Sequence, residues 1–137
     1  MKYLIDADIF SYMVRGDQPA INERMTRLLP GEASLSVITL GEFAYGTSHL
    51  PISKLRQQRA QRLIDFLGIQ ALDEAAALAY GKVRAALRKA GQPIGPNDMW
   101  LAAHALSLGV TLVTNNTREF DRVKGLKLEN WAGGIST

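Results

Sequence analysis

The chain has 137 residues, 47% of them apolar, a composition that fits one folded domain with a substantial core and argues against disorder. Its 16 basic and 13 acidic residues give a formal net charge of +3, which permits a polyanionic partner without predicting one. The absence of cysteine excludes disulfides, thiolate catalysis and cysteine-zinc sites, and two histidines are too few for a histidine-rich metal site. No apolar run is long enough to span a bilayer and the chain opens on a strand pattern, so we expect a soluble cytoplasmic protein.

The first residues of the chain predict a buried strand followed by two helices. A short apolar run at residues 2–5 ends in Asp6, which places a carboxylate at the tip of that strand. Asp8 is positioned to cap the next helix, because an aspartate side chain readily accepts hydrogen bonds from free backbone N–H groups at a helix start. Pro19 suits the first turn of the second helix.

A second strand is predicted at residues 33–38, followed by a helix that Thr39 opens and that carries Glu42. The spacing of Thr39 and Glu42 also fits a capping box, in which the glutamate only satisfies backbone groups at the start of its own helix. Two roles of Glu42, helix cap or ligand, therefore remain open on the pattern alone.

The middle of the chain predicts a long amphipathic helix at residues 52–67, a short third strand at residues 68–72, and a second long helix that Asp73 caps. The polar side of the first of these helices is basic. It is either a solvated face or a surface that contacts RNA, and its arginines are Arg56, Arg59 and Arg62.

Residues 91–120 combine a helix start, a buried strand and a polar loop within a short stretch. Pro96 begins a helix that has Asp98 in its first turn, and the apolar run at residues 110–113 predicts a strand covered on both faces. A carboxylate in the first turn can also simply complement the helix dipole. Polar side chains follow at the carboxyl end of the strand, where open α/β sheets usually place their ligands: Thr114, Asn115 and Asn116.

Strands and helices alternate along the whole chain, which predicts an α/β protein with a parallel sheet covered by helices on both faces. A last edge strand is predicted at residues 126–128. We expect one domain at residues 1–132, and we expect the glycine-bearing tail from Trp131 onward, including residues 133–137, to be poorly ordered and flexible.

Three carboxylates are predicted to meet at one edge of this sheet. Asp6 ends the first strand, Glu42 lies one turn into the helix after the second, and Asp98 begins the helix before the fourth. Acids brought together in this way repel one another unless a cation lies between them. Mg²⁺ or Mn²⁺ is the natural choice, because these ions take oxygen ligands and need neither histidine nor cysteine.

Four motifs carry a resemblance to a known family. They cover nearly the whole chain in the family's order and spacing: residues 4–6 (LID), 36–46 (SVITLGEFAYG), 93–98 (PIGPND) and 114–120 (TNNTREF). The chain resembles the PIN-domain toxins of bacterial toxin–antitoxin modules, the VapC type.

The resemblance implies an α/β/α sandwich with a mostly parallel sheet of four to five strands, and a Mg²⁺- or Mn²⁺-dependent endoribonuclease. Its metal-binding and catalytic acids would be Asp6, Glu42 and Asp98. Such proteins are typically homodimers inhibited by a cognate VapB-type antitoxin, in heterotetramers or larger assemblies. Relatives with the same Gly-Pro and Thr-Asn-Asn motifs cut initiator tRNA in its anticodon loop. Supporting contacts to phosphate or water would come from Asp8, Thr114, Asn115 and Asn116.

Two departures from the family pattern bear on the site. Many PIN domains have a fourth acid where this chain has Asn116, which leaves one or two metal ions open. The family commonly shows Asp-Thr-Asn at its first motif, whereas this chain has Asp6-Ala7-Asp8. The extra carboxylate either adds charge beside the metal or caps the helix, and we favour the cap.

Parts of this sequence pattern also fit two other functions. A haloacid-dehalogenase-like phosphatase would use Asp6 as nucleophile and Asp8 as general acid, but it leaves Glu42 and Asp98 without a role. A PIN-like module could also bind RNA or protein without cutting, and the missing fourth acid favours that alternative.

Overall fold

The computed structural model describes residues 1–132. Within them the elements, in chain order, are β1 (Tyr3–Ile5), α1 (Ala7–Arg15), α2 (Pro19–Thr26), β2 (Ala33–Ser36), α3 (Val37–His49), α4 (Lys54–Leu67), β3 (Ile69–Gln70), α5 (Glu74–Lys89), α6 (Pro96–Leu108), β4 (Thr111–Val113), α7 (Thr117–Phe120) and β5 (Leu128–Glu129).

The five strands form one sheet in the order β3-β2-β1-β4-β5, and every pair of neighbours is parallel. The first strand is therefore central: Leu4 is aligned with Ser34 on one side and with Leu112 on the other. Because all strands run in the same direction, their carboxyl ends share one edge of the sheet. The predicted parallel α/β architecture is confirmed.

Helices cover both faces of the sheet and enclose two separate cores. Alternation along β1 sends Ile5 to one face, where it packs with residues of α1, α2 and α4. Leu4 points to the other face, where it packs with residues of α5 and α6. Both side chains are fully buried. The result is the three-layer α/β/α sandwich that the sequence predicts.

The helix that carries Glu42 begins earlier than predicted, and the capping-box interpretation is wrong. The second strand ends at Ser36, whose hydroxyl accepts a hydrogen bond from Ile38 N (3.0 Å) and starts α3 at Val37. Thr39 then lies inside the first turn, and its hydroxyl donates to the backbone oxygen of Ile5 (2.9 Å). Since Thr39 anchors α3 to β1 instead of capping it, Glu42 is not part of a helix cap.

The first helix is capped by Asp6 and not, as predicted, by Asp8. Asp6 has the extended backbone of an N-cap residue, and its Oδ1 accepts a hydrogen bond from Ala7 N (2.7 Å). Asp8 lies in the first helical turn, where its Oδ2 accepts a hydrogen bond from Asn115 N (3.0 Å). The strand ends at Ile5 as predicted, but the helix begins at Ala7, so the cap falls on Asp6.

The end of the described chain is better packed than the sequence suggests. Trp131 is 5% exposed, its ring meets Tyr3 edge-on at 5.1 Å, and the guanidinium of Arg24 lies 4.7 Å from its ring centroid. The prediction of disorder from Trp131 onward is therefore wrong at its first residue, while residues 133–137 lie outside the described part. No helix within residues 1–132 is both long enough and apolar enough to cross a membrane.

Candidate active site

Asp6 is the most firmly held acid at the carboxyl edge of the sheet. It is 7% exposed, and while Oδ1 caps α1, Oδ2 accepts a hydrogen bond from the Thr114 hydroxyl (2.7 Å). Burial raises the pKa of this carboxyl, and the Thr114 hydrogen bond partly counteracts that rise. With both oxygens engaged and little access, Asp6 is poorly placed as the nucleophile that a phosphatase would need.

Thr114 orients this carboxylate because it is itself fixed. It is fully buried after β4, its backbone N–H donates to Glu129 O (3.0 Å), and its hydroxyl also accepts a hydrogen bond from Asn116 N (3.0 Å). One threonine thus connects the first acid to the loop after the fourth strand, 108 residues further along the chain.

Glu42 projects from α3 into the same region. Burial raises the pKa of its carboxyl, the nearby charge of Asp6 raises it further, and the side chain of Asn97 lowers it in part. Its Oε1 is buried, with no hydrogen-bond partner among the described residues. A buried carboxylate oxygen without a partner is costly, so this atom is suited to a cation.

Asp98 lies in the first turn of α6, which begins with Pro96 and has no side-chain cap at Gly95. Burial raises the pKa of this carboxyl to about 7, and the charges of Asp6, Glu119 and Glu42 contribute to the rise. Its carboxyl is also within hydrogen-bonding reach of Glu119. The prediction that Asp98 would lie beside the other two acids is therefore supported by its electrostatic coupling to both.

Glu119 is a fourth acid at this edge to which the sequence analysis gave no role. Its Oε1 accepts a hydrogen bond from Gly95 N (3.1 Å), and its Oε2 accepts one from the Asn116 amide (2.6 Å). The short helix α7 brings Glu119 back toward Asp98, three residues after the position where a fourth acid was expected. The only sequence signal was the spacing of Asn116 and Glu119, which puts both side chains on one side of a helical turn.

Asp8 is electrostatically coupled to Asp6 and Glu42, and together with Asn115 it also braces the edge. Burial raises the pKa of Asp8 to about 6, with a further contribution from Asp6, while one oxygen holds Asn115 N. The Asn115 side chain accepts a hydrogen bond from Asn130 (3.1 Å), so its oxygen is occupied as well. These two residues fix the loop after β4 against α1 and the chain beyond β5.

The four facing acids fit a divalent cation in their chemistry, although they are not closed around one. Among residues 1–132, no group of three or more histidine, aspartate or glutamate side chains is spaced to hold a metal ion as it stands. The acids with raised pKa values crowd one another, and Glu42 has an unpaired buried oxygen. An oxygen-only donor set of this kind suits a hard divalent ion, which would relieve the repulsion.

The three predicted arginines have different surroundings. Arg56 lines a groove of about 420 Å³ that Asp8 and Glu42 also line. Arg62 lies with Arg56 beside an adjoining cavity of about 290 Å³. Arg59 instead donates its Nε–H to Met13 O (3.1 Å), so it fastens α4 to the end of α1. The structure brings only Arg56 to the groove beside the acids.

Comparison with known proteins identifies the family to which this fold and its acidic site belong. The chain matches the PIN domain over residues 3–126 and belongs to the PIN-domain family.

Within that family, the similarity extends to the VapC ribonucleases. The chain is 34% identical to the tRNA(fMet)-specific endonuclease VapC of Shigella flexneri over 132 residues, covering 96% of this chain and 99% of that one. It is also 34% identical to Ribonuclease VapC1 of Haemophilus influenzae, covering 96% and 98%. The structure of VapBC2 from Rickettsia felis bound to a promoter DNA fragment matches with a TM-score of 0.85 and 32% identity, covering 96% and 99%. These full-length similarities place the chain in the VapC group.

Proposed function

We propose that this protein is the toxin of a type II toxin–antitoxin module and acts as a divalent-metal-dependent endoribonuclease on RNA phosphodiester bonds. Its membership of the VapC group supports the reaction class. The observation that carries the proposal is the crowding of carboxylates at the sheet edge, where Asp6 raises the pKa values of Glu42 and Asp98, Glu119 raises those of Asp6 and Asp98, and Glu42 Oε1 is buried without a hydrogen-bond partner within residues 1–132.

Mg²⁺ or Mn²⁺ is the proposed cofactor, held by Asp6, Glu42 and Asp98. Glu119 is the fourth acid of this set, so Asn116 does not leave the site short of charge. When bound, the ion supplies positive charge against the scissile phosphate and against the charge that develops in the transition state. The unpaired oxygen of Glu42 and the raised pKa of Asp98 support the assignment, because both report acids that lack a counter-charge.

The remaining side chains of the edge position these acids and the RNA. Thr114 holds Asp6 in one orientation through a 2.7 Å hydrogen bond, and Asp8 and Asn115 hold the loop that follows β4. Asn116 keeps Glu119 in place through its amide, which is exposed and can also donate to a phosphate oxygen. Such preorganisation keeps the reacting groups aligned without rearrangement during the reaction.

The proposed substrate is tRNA, and initiator tRNA cut in its anticodon loop is the first candidate. The similar Shigella flexneri protein is named for that substrate, and the Haemophilus influenzae relative is named a ribonuclease. Arg56 in the groove beside the acids and Arg62 at the adjoining cavity are both exposed, and they can bind phosphates of the RNA backbone. The side chain of Arg59 contributes mainly by holding α4 in place.

The proposed partner is a VapB-type antitoxin in a heterotetramer or larger assembly built on a homodimer, located in the cytoplasm. Similar solved structures are VapBC complexes from Rickettsia felis and Haemophilus influenzae. The groove beside the acids has apolar side chains that a partner segment can cover: Val14, Phe43, Leu50 and Ile52.

Cleavage of purified initiator and elongator tRNA tests this proposal. We expect site-specific cleavage of initiator tRNA with Mg²⁺ or Mn²⁺, and loss of cleavage with EDTA or in Asp98→Asn. Asp121→Asn is the matched control, because this exposed aspartate ends α7 and makes no side-chain hydrogen bond within residues 1–132. Metal-independent binding without cleavage would instead favour a binding module. Cleavage that persists in Asp98→Asn would contradict the assignment of Asp98 to the catalytic acids.

A further inference from the structure

A second cavity lies apart from the acidic edge, between α5, α6 and the turn that follows α7. Its volume is about 620 Å³, larger than the groove beside the acids. The floor is aliphatic, formed by Val83, Leu87, Leu106 and Val123. Three of these side chains are less than 10% exposed and belong to the core between α5, α6 and the sheet, so the floor is rigid. We call this space the α5–α6 cavity.

The rim of the α5–α6 cavity is strongly cationic. In the described part of the chain, four exposed side chains carry positive charge around it and no acidic residue lines it. None of the four forms an ion pair within residues 1–132, although the structure has such pairs elsewhere. Their flexible stems can bend over the opening while their charges stay in water. These cations are Lys82, Lys89, Arg122 and Lys124.

Arg122 connects this rim to the chain that leads into the active site. Its Nη1 donates to Pro93 O (3.0 Å), which leaves its other N–H groups free for a ligand. The neighbouring Gln92 lines the cavity, and two residues beyond Pro93, Gly95 N donates to Glu119. One cation of the rim, Arg122, is therefore held by a fixed loop, whereas the other three are mobile lysine side chains.

We propose that the α5–α6 cavity binds a small amphiphilic anion, namely an aliphatic carboxylate of medium chain length. The volume lies within the roughly 300–1,000 Å³ typical of small-molecule sites. An alkyl chain covers the aliphatic floor, and the carboxylate meets the unpaired cations of the rim.

The lining favours this ligand over a nucleotide or RNA strand. Proteins hold unpaired bases mainly by stacking them on aromatic side chains. Among residues 1–132, no aromatic side chain lines the α5–α6 cavity, and apart from its cations its polar side chains are Gln92 and Ser107. An aliphatic space with polar groups at its mouth matches a ligand whose body is a hydrocarbon chain.

Calorimetric titration with decanoate below its micelle concentration tests the proposal, with decanol and acetate as comparison ligands. We expect saturable binding of about one decanoate per chain, at least tenfold weaker binding of decanol, and no measurable binding of acetate. Loss of saturable decanoate binding, or equal binding of decanol, would overturn it. Binding of an acidic amphipathic peptide without binding of decanoate would also overturn it and assign the cavity to a protein partner.

Two variants distinguish decanoate binding in the cavity from nonspecific decanoate binding. Ala86→Trp places a large ring at an exposed lining position and should abolish decanoate binding without disturbing the core. Lys82→Gln with Lys89→Gln should weaken it at least fivefold. Lys54→Gln with Lys127→Gln is the matched control, because it removes the same charge from exposed positions outside the cavity. Equal binding by the two double variants would contradict a built anion site.

The nuclease proposal and the cavity proposal can fail separately. Asp98→Asn should bind decanoate as the unchanged protein does, with or without Mg²⁺. Circular dichroism of each variant confirms that a lost signal does not come from unfolding. A protein that cleaves RNA but binds no decanoate would refute only the cavity proposal.

Discussion

Two regions beside α1, an acidic end at the carboxyl edge of the sheet and a basic end on α4, hold their charged side chains in different ways. At the acidic end, neighbouring groups fix two of the carboxylates, since the Thr114 hydroxyl fixes Asp6 and two N–H donors fix Glu119, whereas Glu42 Oε1 has no hydrogen-bond partner within residues 1–132. At the basic end, Arg56 and Arg62 are exposed and make no ion pair within residues 1–132. Crowded and buried charges shift each other's pKa values, whereas exposed charges are screened. The crowded acids are therefore suited to catalysis, and the exposed arginines are suited to binding RNA.

Removing the best-fixed acid should give the largest effect. Asp6→Asn retains the shape of the side chain and one accepting oxygen, which can keep the cap of α1, but removes the charge and the acceptor of a second hydrogen bond. We expect RNA cleavage to fall by about 10²–10³-fold or more, because the variant loses electrostatic stabilisation of the transition state. Single-turnover cleavage of tRNA measures this loss. A reduction of less than tenfold would show that Asp6 only caps α1.

Glu119→Gln tests whether the fourth acid belongs with the other three. The amide can still accept a hydrogen bond from Gly95, so the fold should persist while the charge is lost. We expect an intermediate effect of roughly 10-fold to 100-fold in the cleavage rate, together with a higher Mg²⁺ concentration at half-maximal activity. Glu74→Gln, at the exposed start of α5, is the control. An unchanged metal dependence would restrict Glu119 to a structural role.

The acidic end should also destabilise the metal-free protein as the pH rises. The pKa of Asp98 is about 7 in the folded chain, against 3.8 for an ordinary aspartate, so the folded state holds a proton that the unfolded state releases. Stability from this group is present below about pH 4 and is lost as the pH rises to about 7. Asp98→Asn should therefore raise the free energy of unfolding above pH 7 and change it little near pH 4.

The size of this gain is limited by solvent. Three pKa units would correspond to about 4 kcal/mol in a fully buried site, but Asp98 is only half-buried, so we expect about 1 kcal/mol. Urea unfolding at several pH values, with and without Mg²⁺, measures the difference. A gain that is equal at pH 4 and pH 8 would rule out proton linkage as its cause.

The basic end should respond weakly, and its arginines should respond differently. Arg62→Gln should raise the KM for tRNA a fewfold and reduce the slope of log affinity against log salt by about one, as expected for one lost phosphate contact. Arg59→Gln should instead lower the free energy of unfolding by about 1 kcal/mol, because Met13 O loses a partly buried hydrogen bond. Indistinguishable effects of the two variants would contradict the division of roles.

The parts of the site that follow from strand ends and helix starts could be predicted from the sequence. Asp6 comes directly after a short apolar strand, and Asp98 comes directly after Gly95-Pro96. In a parallel sheet these local signals are enough to place both acids at one edge. The family motifs added Glu42, and the absence of a capping box now supports its placement.

The remaining parts depended on tertiary contacts that no local pattern shows. Val37 and Ile38 have strong strand propensity, yet they begin a helix because Ser36 caps it and Thr39 ties it to β1. Glu119 reaches the acids only because the four-residue helix α7 turns it back. Trp131 is ordered because Arg24 and Tyr3 pack on it, and those residues lie more than 100 positions earlier.

The central position of β1 has a consequence during synthesis on the ribosome. Asp6 precedes its hydroxyl partner Thr114 and the neighbouring strand β4 by more than 100 residues, so it is synthesised well before them. Until β4 leaves the exit tunnel, one long side of β1 has no backbone partner and the first acid has no fixed orientation. A nascent chain in which β4 has not yet paired with β1 therefore carries no assembled nuclease site.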